Sequence, residues 1–264
     1  MNLFKKFLAG ALTLTMAFSL AACGGSDAPA EDPAGDGAAD ATKYVIATDT
    51  VFAPFEFQNE AGEYVGIDID ILAAIAEDQG FEYELQPLGF NAALMAVDAG
   101  QADGMIAGMS ISEERAETFD FSSPYFDSGV VMGVRADNEE ITSYEDLAGK
   151  QVATKISTTG ADFANSIAEE YGFTTVVFDD SSAMYMDVDA GNSVACFEDY
   201  PVMGYAVTQG VNLKIVTDME AGNSYGFAVA KGENLELLEM FNAGLANIQA
   251  SGKYQEILDT YIQK

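Results

Sequence analysis

The chain is predicted to be an α/β protein of two similar lobes facing each other across a cleft, on three observations. Strand-like and helix-like segments alternate from Lys43 onward, the order that a mostly parallel sheet covered by helices requires. The series starts again after Gly129. A hexamer of the first series, Met95-Ala96-Val97-Asp98-Ala99-Gly100, is echoed in the second by Met186-Asp187-Val188-Asp189-Ala190-Gly191, each placed to close a helix before a strand. A chain of 264 residues that is 49% apolar has the means to bury cores of that size.

The start of the chain stands apart from both lobes. Lys5 and Lys6 precede an apolar run from Phe7 to Leu20, long enough for the apolar stretch of a secretory signal and too short to span a bilayer comfortably. The run ends Leu20-Ala21-Ala22-Cys23-Gly24-Gly25, which resembles the bacterial lipoprotein signal. That resemblance implies removal of residues 1–22 and acylation of Cys23, a durable membrane anchor because two or more chains hold where one is marginal. Residues 24–42 are small, acidic or Pro/Gly types and cannot bury enough apolar surface to fold. Together with Cys23 they read as a tether, reaching about 25 Å as a coil and about 65 Å when extended.

In the first series, Tyr44 to Thr48 reads as a buried strand and Tyr64 to Gly66 as another. Ile67 to Glu77 has its apolar residues on one helical face, with Asp68 or Asp70 as N-cap and Gly80 past the end. Strand Tyr83–Pro87, helix Asn91–Asp98 and strand Gly104–Ala107 follow. The second series is predicted as strand Val130–Arg135, helix Ser143–Leu147, strand Gln151–Thr154, helix Asp162–Tyr171, strand Thr174–Phe178, helix Ser182–Asp189 and strand Val194–Phe197. The tail, strand Tyr225–Ala230 with helices Leu235–Ala250 and Tyr254–Ile262, has no strand series of its own and should pack onto an earlier lobe.

Charge narrows the function. The formal net charge is −32, and loss of residues 1–22 would leave nine cations against 43 acids. Nucleic acid is excluded as a partner. The chain has no histidine, so Gly222-Asn223-Ser224-Tyr225-Gly226 matches the nucleophile-elbow pattern without any means of assembling the usual serine triad. A zinc site is likewise not expected, and with Cys23 acylated, Cys196 has no cysteine to pair with.

So acidic a protein repels anions unless a local site receives them, and the segment Ala107–Phe126 carries one of only two arginines, Arg115. Ser112 reads as the N-cap of a helix running through Glu113, Glu114, Ala116 and Glu117. Arg115 falls where a capping box would place a carboxylate, at the positive end of that helix. With the Ser110 and Ser112 hydroxyls and free amides beside it, its guanidinium fork could grip a carboxylate. Ligands of such sheets bind beyond the carboxyl ends of the strands. Lys155 to Gly160 and Glu198 to Pro201 occupy equivalent strand ends in the second series.

Three stretches carry a family resemblance: Thr48-Asp49-Thr50-Val51-Phe52-Ala53-Pro54-Phe55-Glu56-Phe57, then Gly66-Ile67-Asp68-Ile69-Asp70, then Gly108-Met109-Ser110-Ile111-Ser112 with Arg115 and Phe119-Asp120-Phe121-Ser122. From Lys43 to the C-terminus the chain resembles the polar amino acid-binding proteins of ABC importers, solute-binding family 3. The resemblance implies a two-lobed type II periplasmic-binding-protein fold with two hinge crossings, lobe 1 being residues 43–128 and 226–264 and lobe 2 residues 129–225. It implies a free L-amino acid as ligand, an ABC permease as partner, no cofactor, no catalysis and a monomer.

By the same resemblance, Arg115 holds the ligand carboxylate with help from the backbone at Gly108, the Ser110 hydroxyl and the loop at Thr159 and Gly160. Asp199 takes the ammonium, and Phe52 and Phe90 form aromatic walls. Asp49 and Lys155 match positions that contact the side-chain amide in glutamine-binding members, whereas Glu198 stands where those members carry an imidazole. A dehydratase of the cyclohexadienyl type, sharing the fold and using Glu198 as general acid, is the alternative.

Overall fold

Described residues of the computed structural model run from 43 to 262; the signal, Cys23 and tether lie outside them. The first lobe begins with β1 (Lys43–Thr48), a short hairpin of β2 (Phe57–Gln58) and β3 (Tyr64–Val65), α1 (Ile67–Gln79), β4 (Glu82–Pro87), α2 (Phe90–Asp98), β5 (Gly104–Met105) and β6 (Phe119–Phe121). The chain then enters the second lobe through β7 (Phe126–Arg135), followed by β8 (Gln151–Lys155), α3 (Thr159–Tyr171), β9 (Thr174–Phe178) and α4 (Ser181–Asp189). That lobe is completed by β10 (Ala195–Asp199), α5 (Tyr200–Thr208), β11 (Leu213–Ile215) and β12 (Glu220–Tyr225). Finally β13 (Ala228–Ala230), α6 (Leu235–Ser251) and α7 (Lys253–Tyr261) return to the first.

Strand order in the first sheet is β4-β1-β5-β13-β6, with β1 parallel to β4 and β5 and β13 antiparallel to its neighbours. The second runs β11-β7-β10-β8-β9, with β12 also pairing β7. The architecture is the two-lobed type II periplasmic-binding fold that the resemblance implied.

The chain passes between the sheets at residues 122–125 and again at Gly226–Phe227. The segment Tyr225–Ala230, read as one strand, is therefore two strands in two sheets. Only a small residue fits at the break: a Cβ on Gly226 would lie 3.0 Å from the Ile111 side chain. Hydrogen bonds lace the crossings together, Tyr125 N to Tyr225 O at 2.9 Å and Ser122 N to Phe227 O at 2.8 Å.

The tail packs onto the first lobe as expected. Phe227 stacks on Phe241 of α6 with ring centroids 4.4 Å apart. Gly244 of α6 lies so close to α1 that an added Cβ would meet Ile75 at 2.7 Å. The apolar face of α1, Ile67, Ile71, Leu72 and Ile75, is wholly buried there.

Two helix starts differ from expectation. Gly66, with φ 137°, takes the position before α1 because any side chain there would strike the Phe55 carbonyl at 2.1 Å. Asp68 is thereby not a cap but a buried residue of the first turn. Helix α3 begins at Thr159, earlier than Asp162, because the Thr158 hydroxyl caps it by accepting from Ala161 N at 3.2 Å. The echoed hexamers do close matching helices, α2 and α4, each followed by a glycine at positive φ, Gly100 at 67° and Gly191 at 77°.

Candidate functional site

Where the ends of the strands face each other, Phe52, Phe90, Gly108, Ser110 and Arg115 of the first lobe meet Lys155, Thr158, Thr159, Glu198 and Asp199 of the second around one small cavity. Two further expected residues adjoin it. Asp49 is paired to Lys155, and Gly160 lies in the first turn of α3, where a Cβ would meet the Phe197 carbonyl oxygen at 2.9 Å.

Arg115 does not sit on the helix foreseen after Ser112. The segment forms a single 3-10 turn, Arg115–Glu117, too short for a macrodipole, because the chain must enter β6 beside β13. The position before this turn is Glu114, not Ser112, though the Ser112 hydroxyl accepts from Arg115 N at 3.2 Å. The guanidinium donates to Ser110 O and, across the cleft, to Ser157 O, both at 2.8 Å. It also lies over the Phe90 ring, 5.4 Å from the centroid. Among the described residues it makes no ion pair within 4.0 Å. Burial lowers its pKa, partly offset by Asp162 and Asp199.

Asp199 ends β10 on the opposite lobe, 5% exposed. Its Oδ2 accepts from the Tyr225 hydroxyl at 2.5 Å and its Oδ1 from Thr159 at 3.3 Å. Burial, then the neighbouring Glu198, push its pKa up to about 7 against the pull of Tyr225, Thr159 and Arg115. Glu198 accepts from Ser181 at 2.7 Å, Tyr185 at 3.2 Å and the Asp199 amide at 3.0 Å. Three donors thus converge on this one carboxylate.

The Asp49–Lys155 ion pair closes the other end of the cavity, with both side chains about fully buried at 1% exposure. Its members come from different lobes, Asp49 following β1 and Lys155 ending β8. The ammonium lies 4.7 Å from the Phe52 centroid and 5.6 Å from that of Phe90. Burial works against its charge, but Asp49, Glu198 and Glu56 together raise its pKa. Asp49 Oδ1 also accepts the Phe90 amide at 3.1 Å, fixing the start of α2.

Gly108 is tightly constrained: at φ 52°, a Cβ would fall 2.3 Å from the Phe52 ring. Its amide is donated to Asp68 at 2.7 Å, away from the cavity. Tyr225 was not foreseen as a site residue, and Ser157 and Thr158 fall within the stretch Lys155–Gly160 without having been singled out. Tyr225 is fully buried and 26 residues from Asp199 in sequence, and the only hint of its importance was a glycine interrupting an apparent strand. Ser157, at φ 61°, bridges the lobes by donating to Asn91 Oδ1 at 2.8 Å and accepting from Arg115. Ser224 of the elbow-like pattern donates to Asp127 at 2.8 Å and is not in the cavity lining.

The family model for bacterial extracellular solute-binding proteins, family 3, matches residues 44–264. The arginine-binding extracellular protein ArtP of Bacillus subtilis is 27% identical over 258 residues, covering 96% of each chain. Among solved structures, substrate-binding domain 2 of Lactococcus lactis GlnP in the open conformation is 43% identical, with 85% of this chain and 98% of that one covered and a TM-score of 0.57. An ancestral arginine-binding protein bound to arginine is 35% identical, covers 83% of this chain and 98% of its own, and superposes at a TM-score of 0.78. The closer superposition thus goes with the ligand-bound structure and not with the higher identity. A single sheet-by-sheet architecture and a match over almost all described residues agree: this chain belongs to the bacterial extracellular solute-binding proteins of family 3.

Proposed function

We propose that this protein captures a free L-α-amino acid between its lobes and delivers it to an ABC importer, without catalysis, while Cys23 anchors it to the outer face of the cell membrane. The lobes are taken as residues 43–128 with 226–264, and 129–225. The observation that carries this reading is the placement of Arg115 and Asp199 on opposite lobes around one cavity. Arg115 has no carboxylate paired to it among the described residues, and Asp199 has no cation. A zwitterion supplies both. Its carboxylate would take the guanidinium fork, the Ser110 hydroxyl and the Thr159 and Gly160 amides at the start of α3; its ammonium would take Asp199. Contacts available only when both lobes touch the ligand shift the hinge toward closure. The difference in superposition between open and ligand-bound relatives fits such a hinge.

The side chain bound is read as polar and neutral, glutamine first. Lys155 is held inside the cleft by a buried ion pair, so a guanidinium or ammonium side chain would meet a like charge at low dielectric. An amide meets both partners, its NH₂ donating to Asp49 and its C=O accepting from Lys155. In calorimetry against the twenty amino acids, glutamine is expected to bind at least about tenfold more tightly than arginine. The opposite ranking would sink the glutamine reading, and no binding by any amino acid would sink the whole.

Proton linkage gives a second expectation. Asp199 titrates near 7, and only its ionised form can pair with an ammonium. The ligand therefore draws that pKa down, affinity falls as pH drops through about 7, and it levels off above. Calorimetric Kd at pH 5.5 is expected to be at least about tenfold weaker than at pH 8. A flat profile would remove Asp199 from the ammonium role.

A further inference from the structure

Behind the Phe52 and Gly108 wall lie two carboxyl groups for which amino acid capture has no direct use. Glu56 and Asp68 are both 0% exposed. Asp68 arrives on the first turn of α1. Glu56 stands at the foot of the Phe52 loop, its carbonyl accepting the Phe52 amide at 2.8 Å. Asp68 Oδ2 accepts from the Gly108 amide at 2.7 Å and the Tyr125 hydroxyl at 2.8 Å. Asp68 Oδ1 and both oxygens of Glu56 have no donor among the described residues.

The two residues are neighbours: the Asp68 amide donates to the carbonyl of Phe55, next to Glu56, at 3.0 Å, and the two carboxyls act on each other's pKa. Two carboxylates side by side in a dry interior cannot both ionise cheaply, and one proton between them supplies the missing donor and removes the repulsion. Donors decide where it resides. Asp68 already accepts two hydrogen bonds, which favour its charged form and limit its rise to about 6. Glu56 has no such support: burial, Asp68 and Asp49 raise its pKa well above the usual range, with Lys155 alone opposing.

We propose that Glu56 is a protonated carboxylic acid at neutral pH whose O–H donates to Asp68 Oδ1, and that this acid–carboxylate pair is a positioning device for the ligand cavity. Through it the Phe52 loop is tied to the Gly108 loop, and Asp68 ties both to Tyr125 on the first crossing. The proton needs no ligand; its meaning for binding rests on the reading of the cavity above.

The test uses the full chain without ligand. Infrared difference spectra at pH 8, where Asp199 is ionised, compare wild type with Glu56→Gln. The carboxylic acid C=O band should be present in wild type and lost in the variant. A wild type without that band, or a band that survives the substitution, overturns the assignment. Hydrogen exchange of the Gly108 amide reads the positioning. Glu56→Gln keeps a neutral donor and should stay within about threefold of wild type, while Asp68→Asn, which loses the charged acceptor, should exchange about tenfold faster. Equal rates in all three proteins overturn the positioning role. Neither readout involves an amino acid, so a failure to bind amino acids cannot be mistaken for a failure here.

Discussion

Arg115→Ala is expected to weaken amino acid binding by about 10²- to 10³-fold while the protein stays folded. The magnitude follows from two charged hydrogen bonds at about 1.5–3 kcal/mol each in a desolvated cleft, added with some loss for relaxation. Folding should tolerate the change because Arg115 is half-buried, sits on a single 3-10 turn and holds only two backbone carbonyls, Ser110 O and Ser157 O. Arg115→Lys should recover little, since an ammonium cannot reproduce the planar fork. Calorimetry for affinity and circular dichroism for fold make the check. A Kd within threefold of wild type would remove Arg115 from the carboxylate role.

Asp199→Asn is expected to separate binding from stability in opposite directions. The amide oxygen can still accept from the Tyr225 hydroxyl, and the NH₂ can donate to the Thr159 hydroxyl oxygen in place of the bond that Asp199 accepted there, but the charge that would receive an ammonium is gone. Affinity should fall about 10²-fold. Stability should rise. A folded-state pKa near 7 lies above the ordinary carboxylate value, so at pH 8 the ionised group is less favourable in the folded chain than in the unfolded one. Removing it should raise Tm by about 2–4 °C at pH 8, and by less at pH 5, where the proton already neutralises the group. A lower Tm at pH 8 would contradict this account. Sites held ready for a ligand commonly carry such a cost.

What could be read from the sequence is concentrated at strand ends. Lys155 and Asp199 were placed near each other because the ends of the parallel strands β8 and β10 share an edge of one sheet, whereas Arg115, on the other lobe, was joined to them by the family resemblance. The hexamer echo worked for the same reason: a helix closed by glycine at positive φ is a local matter. Features depending on distant partners were lost. Tyr225 gains its role from Asp199 and Ser128, and Asp68 from Gly108 and Tyr125; nothing in the neighbouring residues signals either. Local propensity also misled. Glu113 to Glu117 is good helix sequence, yet pairing of β6 with β13 leaves room for one turn only.

Tyr225 joins β12 to the second crossing, its ring against Phe52 and Phe55 of the first lobe and Phe126 at the start of β7, and its hydroxyl on Asp199. The chain contains no tryptophan, so nothing outshines its tyrosines under ultraviolet excitation. A phenol hydrogen-bonded to a carboxylate absorbs and emits differently from a free one, and this phenol sits where the chain leaves β12 for the second crossing. The protein thus carries a native optical probe beside its second crossing, and if the lobes close on a ligand as proposed, near-ultraviolet spectra of wild type minus Tyr225→Phe should change on ligand addition without any attached label.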